Sequence, residues 1–143
     1  MRNTMYKILV DTDVVMDFIT KREPFDKEAA HLFNLADRKK VDLNVSSLCL
    51  NNIYYLLRKM SGHKKTLSIL KILIEIVGVL SVDKQVVIKA LNSKFNDFED
   101  AIQHFSAVEN GNIDLIIRRN LKDYNQSKIA FMTAGSFINT MFV

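Results

Sequence analysis

The stretch Lys7–Phe18, KILVDTDVVMDF, decides how this chain must be folded. The aliphatic run Ile8, Leu9 and Val10 ends abruptly at Asp11 and Asp13, and apolar residues resume at Val14. Such a run bounded by polar groups reads as a short buried strand. A carboxylate at the end of a buried strand either starts the next helix or faces a cation, because burying it unpaired is very costly. Asp13 stands where an N-cap belongs, ahead of a helix over Val14–Ile19. Asp11 needs a lysine, an arginine or a divalent cation as partner.

Outward from this stretch, strand and helix signals alternate. Phe25, Ala29, Leu32, Phe33 and Ala36 recur with a helical period, and VDLNVS (residues 41–46) is the next strand. Leu48, Ile53, Leu56, Leu57 and Met60 form the apolar stripe of another helix, which SGHKK (residues 61–65) breaks before helical residues 64–75. Gly78 lies in the strand VGVLSV, and Asp83 caps a helix through Leu91. Phe98, Ala101, Ile102, Phe105 and Val108 mark a further helix, stopped by ENGN. IDLII (residues 113–117) and KIAFMT (residues 128–133) are the last strands, and a short helix runs from about Ala134 to Thr140. The alternation predicts an α/β fold, a three-layer α/β/α sandwich around a mostly parallel, about five-stranded sheet. In such sheets the active site lies outside the carboxyl ends of the strands, where Asp11 falls.

Composition narrows the class. The 143 residues, 48% of them apolar, suffice for one domain (1–143) with a proper core, and no repeat or linker divides them. Cys49 stands alone, so no internal disulfide is expected, which suits a reducing compartment. MRNTMYK carries no signal-peptide pattern, and Lys71 and Glu75 interrupt the apolar stretch ILKILIEIVGVL. These features predict a soluble, cytoplasmic chain with no membrane contact. The net charge of +4 is compatible with a polyanionic partner without requiring one. The lone cysteine and three histidines lack zinc-ligand spacing, and there is no phosphate-binding glycine loop or serine elbow. His31 and His63 read as surface residues, and Tyr54 and Tyr55 as packing residues able in principle to stack on bases.

Two further clusters bear on Asp11. In FNDFEDAIQHF (residues 95–105), helical spacing makes Asp97 and Asp100 neighbours, with His104 on the side of Asp100 and Glu99 directed away from Asp97. A bound cation would offset the repulsion of paired carboxylates, and hard oxygen ligands select Mg²⁺ or Mn²⁺ over zinc. Acidic residues at a helix start also complement the helix dipole with no ligand at all. In IDLIIRRNLKDY, a strand ends in Arg118, Arg119 and Asn120, with Asp123 three residues on. These arginines either hold phosphate or pair with the acidic residues in a structural ion network.

Taken in order, ILVDTDVVMDF, VSSLCLNNIYYLL, DFEDAIQHFSAVENG and LIIRRNLKDY, with the tail FMTAGSFI, resemble the PIN domain family over nearly the whole chain. PIN domains are small α/β nucleases, best known as VapC-type toxins of toxin–antitoxin pairs. The resemblance implies hydrolysis of RNA phosphodiesters by about four acidic side chains around Mg²⁺ or Mn²⁺. It further implies a homodimer and an antitoxin partner. Asp11 matches the first family aspartate and Asp100 the one that starts the later helix. Asn52 stands where most of the family has glutamate, and helical spacing turns it, rather than Asn51, toward the site. The fourth acidic position falls on Asn120, with Asp123 nearby, and Arg118 replaces a threonine or serine. Asp97, Glu99 and Asp123 are the residues able to restore the missing charge. On this reading Asp11 and Asp100 hold the cation, helped by Asp97 or Asp123, while Arg118 or Arg119 meets the phosphate.

Two other readings follow from the same residues. The amides at 52 and 120, with Arg118 in the place of the cation, fit a PIN-like domain that binds without catalysing. DTDVV also fits the D-x-D-x-[TV] nucleophile motif of haloacid-dehalogenase-type phosphatases, in which Asp11 would be phosphorylated and Asp13 would act as acid/base.

Overall fold

The computed structural model describes residues 5–122 and 124–141. Its strands are β1 (Lys7–Val10), β2 (Asp42–Ser46), β3 (Gly78–Leu80), β4 (Leu115–Ile117) and β5 (Ala130–Met132). Its helices are α1 (Thr12–Thr20), α2 (Asp26–Asp37), α3 (Ser47–Ile76), α4 (Lys84–Leu91), α5 (Phe98–Asn110) and α6 (Ala134–Met141). The sheet runs β3-β2-β1-β4-β5 and every pairing is parallel. The alternating strand and helix signals thus produce the expected five-stranded α/β architecture.

Strand alternation sends side chains to both faces. Ile8 and Val10 of β1, Leu43 and Val45 of β2, and Leu115 and Ile117 of β4 pack in one cluster with Val14, Phe33, Ile53 and Phe137 from α1, α2, α3 and α6. Leu9 and Ile116 face the opposite way, against Ala107 of α5 and Tyr124. Helix α4 packs on α5. The central strand β1 is therefore buried on both faces, which explains its uninterrupted aliphatic run. The chain builds outward through β2 and β3, then returns to the other side of β1 with β4. The topological switch point accordingly lies between the carboxyl ends of β1 and β4.

Two local expectations are corrected, the cap of α1 and the apolar stripe of α3. Asp11, not Asp13, caps α1: its side chain accepts from the Thr12 amide, and Asp13 lies inside the first turn. Asp11 N–H still donates to Ile117 O at 3.0 Å, so the strand pairing runs one residue past β1 before the helix starts. SGHKK does interrupt the helix as expected: α3 is two helical segments that meet at a kink at Gly62, which alone has non-helical dihedrals (φ 78, ψ 173). That positive φ is a conformation glycine adopts without penalty. On α3 the buried face is Cys49, Ile53 and Leu57, whereas Leu56 and Met60 are exposed at 44% and 66%. A stripe drawn from hydrophobicity alone is wider than the surface available to cover it.

Ser46 illustrates how the site-bearing helix is started. Its buried hydroxyl accepts from Cys49 N–H at 3.1 Å, satisfying an otherwise orphaned amide. Ser46→Ala is expected to lose about 1 kcal/mol of stability in urea denaturation.

Candidate active site

The two strand ends at the switch point each deliver a charged residue. Asp11 follows β1 and is 8% exposed; Arg118 follows β4 and is 5% exposed. Arg118 N–H donates to Met132 O at 3.0 Å, so its backbone continues the β4–β5 pairing. Around these residues opens a cleft of about 510 Å³, lined by Asp11, Thr12, Asp13, Asn52, Tyr55, Leu56, Asp97, Glu99, Asp100, Arg118 and Asn120. Five carboxylates and a single guanidinium thus share one cavity. Most residues expected at the site converge here from four separate segments.

The N-terminus of α5 is placed by Asp97, whose Oδ1 accepts from the Asp100 amide at 2.9 Å. Asp97 is the helix cap, and its pairing with Asp100 runs through the backbone. Glu99, expected to be directed away from Asp97 yet able to supply charge to the site, lies in the cleft: its Oε1 accepts from Asn52 Nδ2 at 2.9 Å. Gln103, one turn further along α5 and 1% exposed, was not anticipated from the sequence. Its Nε2 donates to Asp11 Oδ1 at 2.8 Å and approaches Glu99 Oε1 at 3.5 Å. The only signal for Gln103 is its i+4 spacing from Glu99, which a neutral amide on an apolar helix does little to announce.

Burial raises the carboxyl pKa of Asp11, opposed by the Gln103 hydrogen bond and the Arg118 charge. Burial also raises that of Glu99, and the charge of Asp11 adds to the effect. Asp11 is therefore close enough to penalise the ionisation of Glu99, a penalty a bound cation would reverse.

Arg118 takes the second option the sequence left open. Its Nη1 meets Asp100 Oδ1 at 3.0 Å, its Nε donates to Asn120 O at 2.6 Å, and its Cζ lies 4.0 Å from the Tyr124 ring centroid. Burial works against its charged form, but the Asp100 hydrogen bond and the Asp11 and Asp100 charges prevail and raise its pKa. Arg119 faces away from the cleft: it meets Asp17 Oδ1 at 3.2 Å and Asp13 Oδ1 at 3.9 Å, and stacks on Phe25. Asp17, buried beside Arg119, is another acid missed in the sequence because it lies in an apolar helix. Asn120 is exposed, and its Oδ1 accepts from Lys122 N–H at 2.9 Å. Asp123 lies outside the described residues. Tyr55 is not a packing residue; it is 55% exposed at the cleft.

His104 is also displaced from its expected place beside Asp100. It is buried among Phe95, Phe105 and Tyr124, and its Nε2 accepts from Lys128 N–H at 3.0 Å. Burial, aided by the Lys128 charge, lowers its pKa from 6.5 to about 4. The unfolded chain therefore takes up this proton first, and the protein loses stability as pH falls from 6.5 toward 4. His104→Gln is expected to lessen that loss, as read by thermal melts across the same interval.

Among the described residues, no group of three or more His, Cys, Asp or Glu side chains is arranged to hold a metal ion. The donor chemistry nevertheless fits a hard divalent cation. Mg²⁺ is commonly held by only one or two carboxylates, with water and substrate phosphate completing its shell. Asp11 and Glu99 supply two such carboxylates in a cleft with too little positive charge.

Comparison with known proteins bears on the fold and on the order of these residues. The chain is 29% identical over 136 residues to Ribonuclease VapC1 of Aquifex aeolicus, which covers 92% of each. Solved structures of the same fold include a Klebsiella pneumoniae toxin–antitoxin complex (TM-score 0.66, 16% identity, 89% of this chain and 97% of that one). Another is VapBC2 of Rickettsia felis bound to a promoter DNA fragment (TM-score 0.65, 14% identity, 89% and 98%). A third is VapC20 of Mycobacterium tuberculosis, a sarcin–ricin loop cleaving toxin (TM-score 0.63, 17% identity, 82% and 93%). The profile of the PIN domain matches residues 7–122, and with this match over most of its length the chain belongs to the PIN domain family.

Proposed function

We propose that this protein is a Mg²⁺- or Mn²⁺-dependent endoribonuclease, the toxin of a toxin–antitoxin pair. The observation that carries the reading is the acidic cleft at the switch point, with buried Asp11 at its floor. The similarity to a ribonuclease, over 92% of each chain, adds to it. A divalent cation held there by Asp11 and its acidic neighbours would lower the pKa of a water and polarise a phosphate.

The remaining work falls to the chain's own residues. Gln103 and the Thr12 amide fix the Asp11 carboxylate by donating to its Oδ1 at 2.8 Å each. Asn52 fixes Glu99. Arg118 tempers the repulsion among the carboxylates and so admits a polyanion to the cavity. Tyr55, exposed at the cleft, offers a face on which an RNA base can stack. Asp97 and Asp13 border the cleft as acids able to act through water. Cleavage of RNA in Mn²⁺, abolished by chelator and restored by excess metal, is the expected result. No cleavage of any RNA under these conditions sinks the reading.

The structural relatives that are toxin–antitoxin complexes support an antitoxin as the protein partner, and the family habit supports a homodimer. No helix among the described residues is long and apolar enough to cross a membrane, and the reading places the protein in the cytoplasm.

One observation favours a second reading, a PIN domain that binds without cutting. Arg118 already supplies a cation to Asp100. Calorimetric titration with Mn²⁺ separates the two: saturable binding that requires Asp11 counts against the inactive module.

A further inference from the structure

We infer that Glu99, positioned by Asn52 and Gln103, is the carboxylate that works beside Asp11 at the metal, and that Arg118 has withdrawn Asp100 from that role. The inference rests on the metal-dependent reading above and assigns its ligands.

The hydrogen-bond pattern divides the acids into two sets. Gln103 Nε2 lies between Asp11 Oδ1 (2.8 Å) and Glu99 Oε1 (3.5 Å), so one buried amide holds both carboxylates on the same side of the cleft. Asn52 Nδ2 takes the same Glu99 oxygen at 2.9 Å. Each carboxylate keeps its other oxygen clear of these bonds, which leaves it able to meet a cation. Asp100 is differently occupied. Its Oδ1 is bound to a guanidinium that is itself locked by Asn120 O and the Tyr124 ring. A carboxylate neutralised in this way offers a second cation little net attraction, and that cation would also face the Arg118 charge. Asp97 has one oxygen engaged in capping α5.

This arrangement gives the amide at position 52 a physical reason. A glutamate there would bring a second carboxylate toward Glu99, where Asn52 now donates a hydrogen bond. With an amide at 52, the acid is contributed by residue 99 from the facing helix. The charge has moved across the cleft and has not been lost.

Mn²⁺ titration calorimetry on the full chain tests the assignment. Glu99→Gln is expected to weaken binding by about 100-fold, and Gln103→Leu by about 10-fold, the usual range for groups that orient a metal ligand. The charge-balanced double variant Asp100→Asn/Arg118→Gln is expected to bind within about 3-fold of wild type, since it removes a pair that is already neutral. Thermal melts in chelator confirm that each variant is folded. Wild-type affinity in Glu99→Gln, with a loss of 10-fold or more in the double variant, overturns the assignment. RNA cleavage measured alongside separates this from the activity itself. Mn²⁺-dependent cleavage with Glu99→Gln binding normally removes Glu99 but leaves a nuclease. Glu99-dependent Mn²⁺ binding without cleavage upholds the ligand and removes the nuclease. A wild type without saturable Mn²⁺ binding overturns both.

Discussion

Asp11→Asn is expected to abolish RNA cleavage while making the metal-free protein more stable. The asparagine keeps an oxygen to accept from Gln103 Nε2 and the Thr12 amide, so the local geometry and the cap of α1 survive. What it removes is the negative charge. Groups that merely orient a metal ligand cost about 10–100-fold when lost, so removal of a direct carboxylate ligand should cost about 100-fold or more in cleavage. The stability effect follows from burial. Asp11 is 8% exposed, and desolvation raises its folded pKa above the ordinary 3.8. At neutral pH the ionised carboxylate therefore opposes folding. As pH falls through the raised value the folded state takes up a proton before the unfolded chain does, and wild type gains stability until about 3.8 is reached. In chelator, Asp11→Asn should melt above wild type at pH 7, with the gap closing toward pH 4. A variant that still cuts RNA, or one that melts below wild type at pH 7, would contradict this account of Asp11. The opposing signs matter because a purely structural aspartate would lower stability and activity together.

Arg118→Met is expected to cost about 3 kcal/mol, the low end for removing one partner of a buried ion pair. At roughly 3–4 °C per kcal/mol for a chain of this length, the melting temperature should fall by about 10 °C. Three interactions disappear together: the 3.0 Å contact with Asp100, the 2.6 Å bond to Asn120 O, and the guanidinium over the Tyr124 ring. A desolvated cation–π contact alone contributes about 2 kcal/mol. Methionine keeps the apolar volume, so the loss reports on charge and hydrogen bonding more than on a cavity. Adding Asp100→Leu should restore about 1–3 kcal/mol, because the orphaned carboxylate is then gone. Melting temperatures of the two single variants and the double variant give the coupling directly. A neutral Arg118→Met would show that the pair is incidental, and would reopen Asp100 as a ligand.

Structural and chemical duties are coupled in this one cleft. Arg118 at the end of β4 needs an acid and takes Asp100. Asn52 on α3 and Gln103 on α5 then hold Glu99 beside Asp11. Changing only one of these positions would leave a buried charge unmatched or two carboxylates in opposition, so the positions act as a set.

Much of the molecule was legible before any coordinates. The β1 run ILV read as a short buried strand, and alternation of strand and helix signals led to a mostly parallel sheet with Asp11 at its carboxyl edge. The start of α4 at Asp83 followed from local capping chemistry, which depends on residues within one turn, whereas Asp97, read as a helical neighbour of Asp100, is the cap of α5. Local chemistry also misled: both Asp11 and Asp13 suit a cap, and only the hydrogen bond from Asp11 N–H to Ile117 O shows where strand pairing stops. Leu56 and Met60 look like core by period, yet neither is covered in the chain as folded. The partners of each charge were beyond reach, since Gln103 lies 92 residues from Asp11 and Asn52 lies 47 from Glu99. Sequence alone determined the sheet, its order of parts and the aspartate at its edge, because periodicity and capping act over a few residues. Only the tertiary structure decided that Arg118 belongs to Asp100, Arg119 to Asp17 and Glu99 to the cleft. A charge chooses its partner by distance in space, and no spacing along the chain encodes that distance.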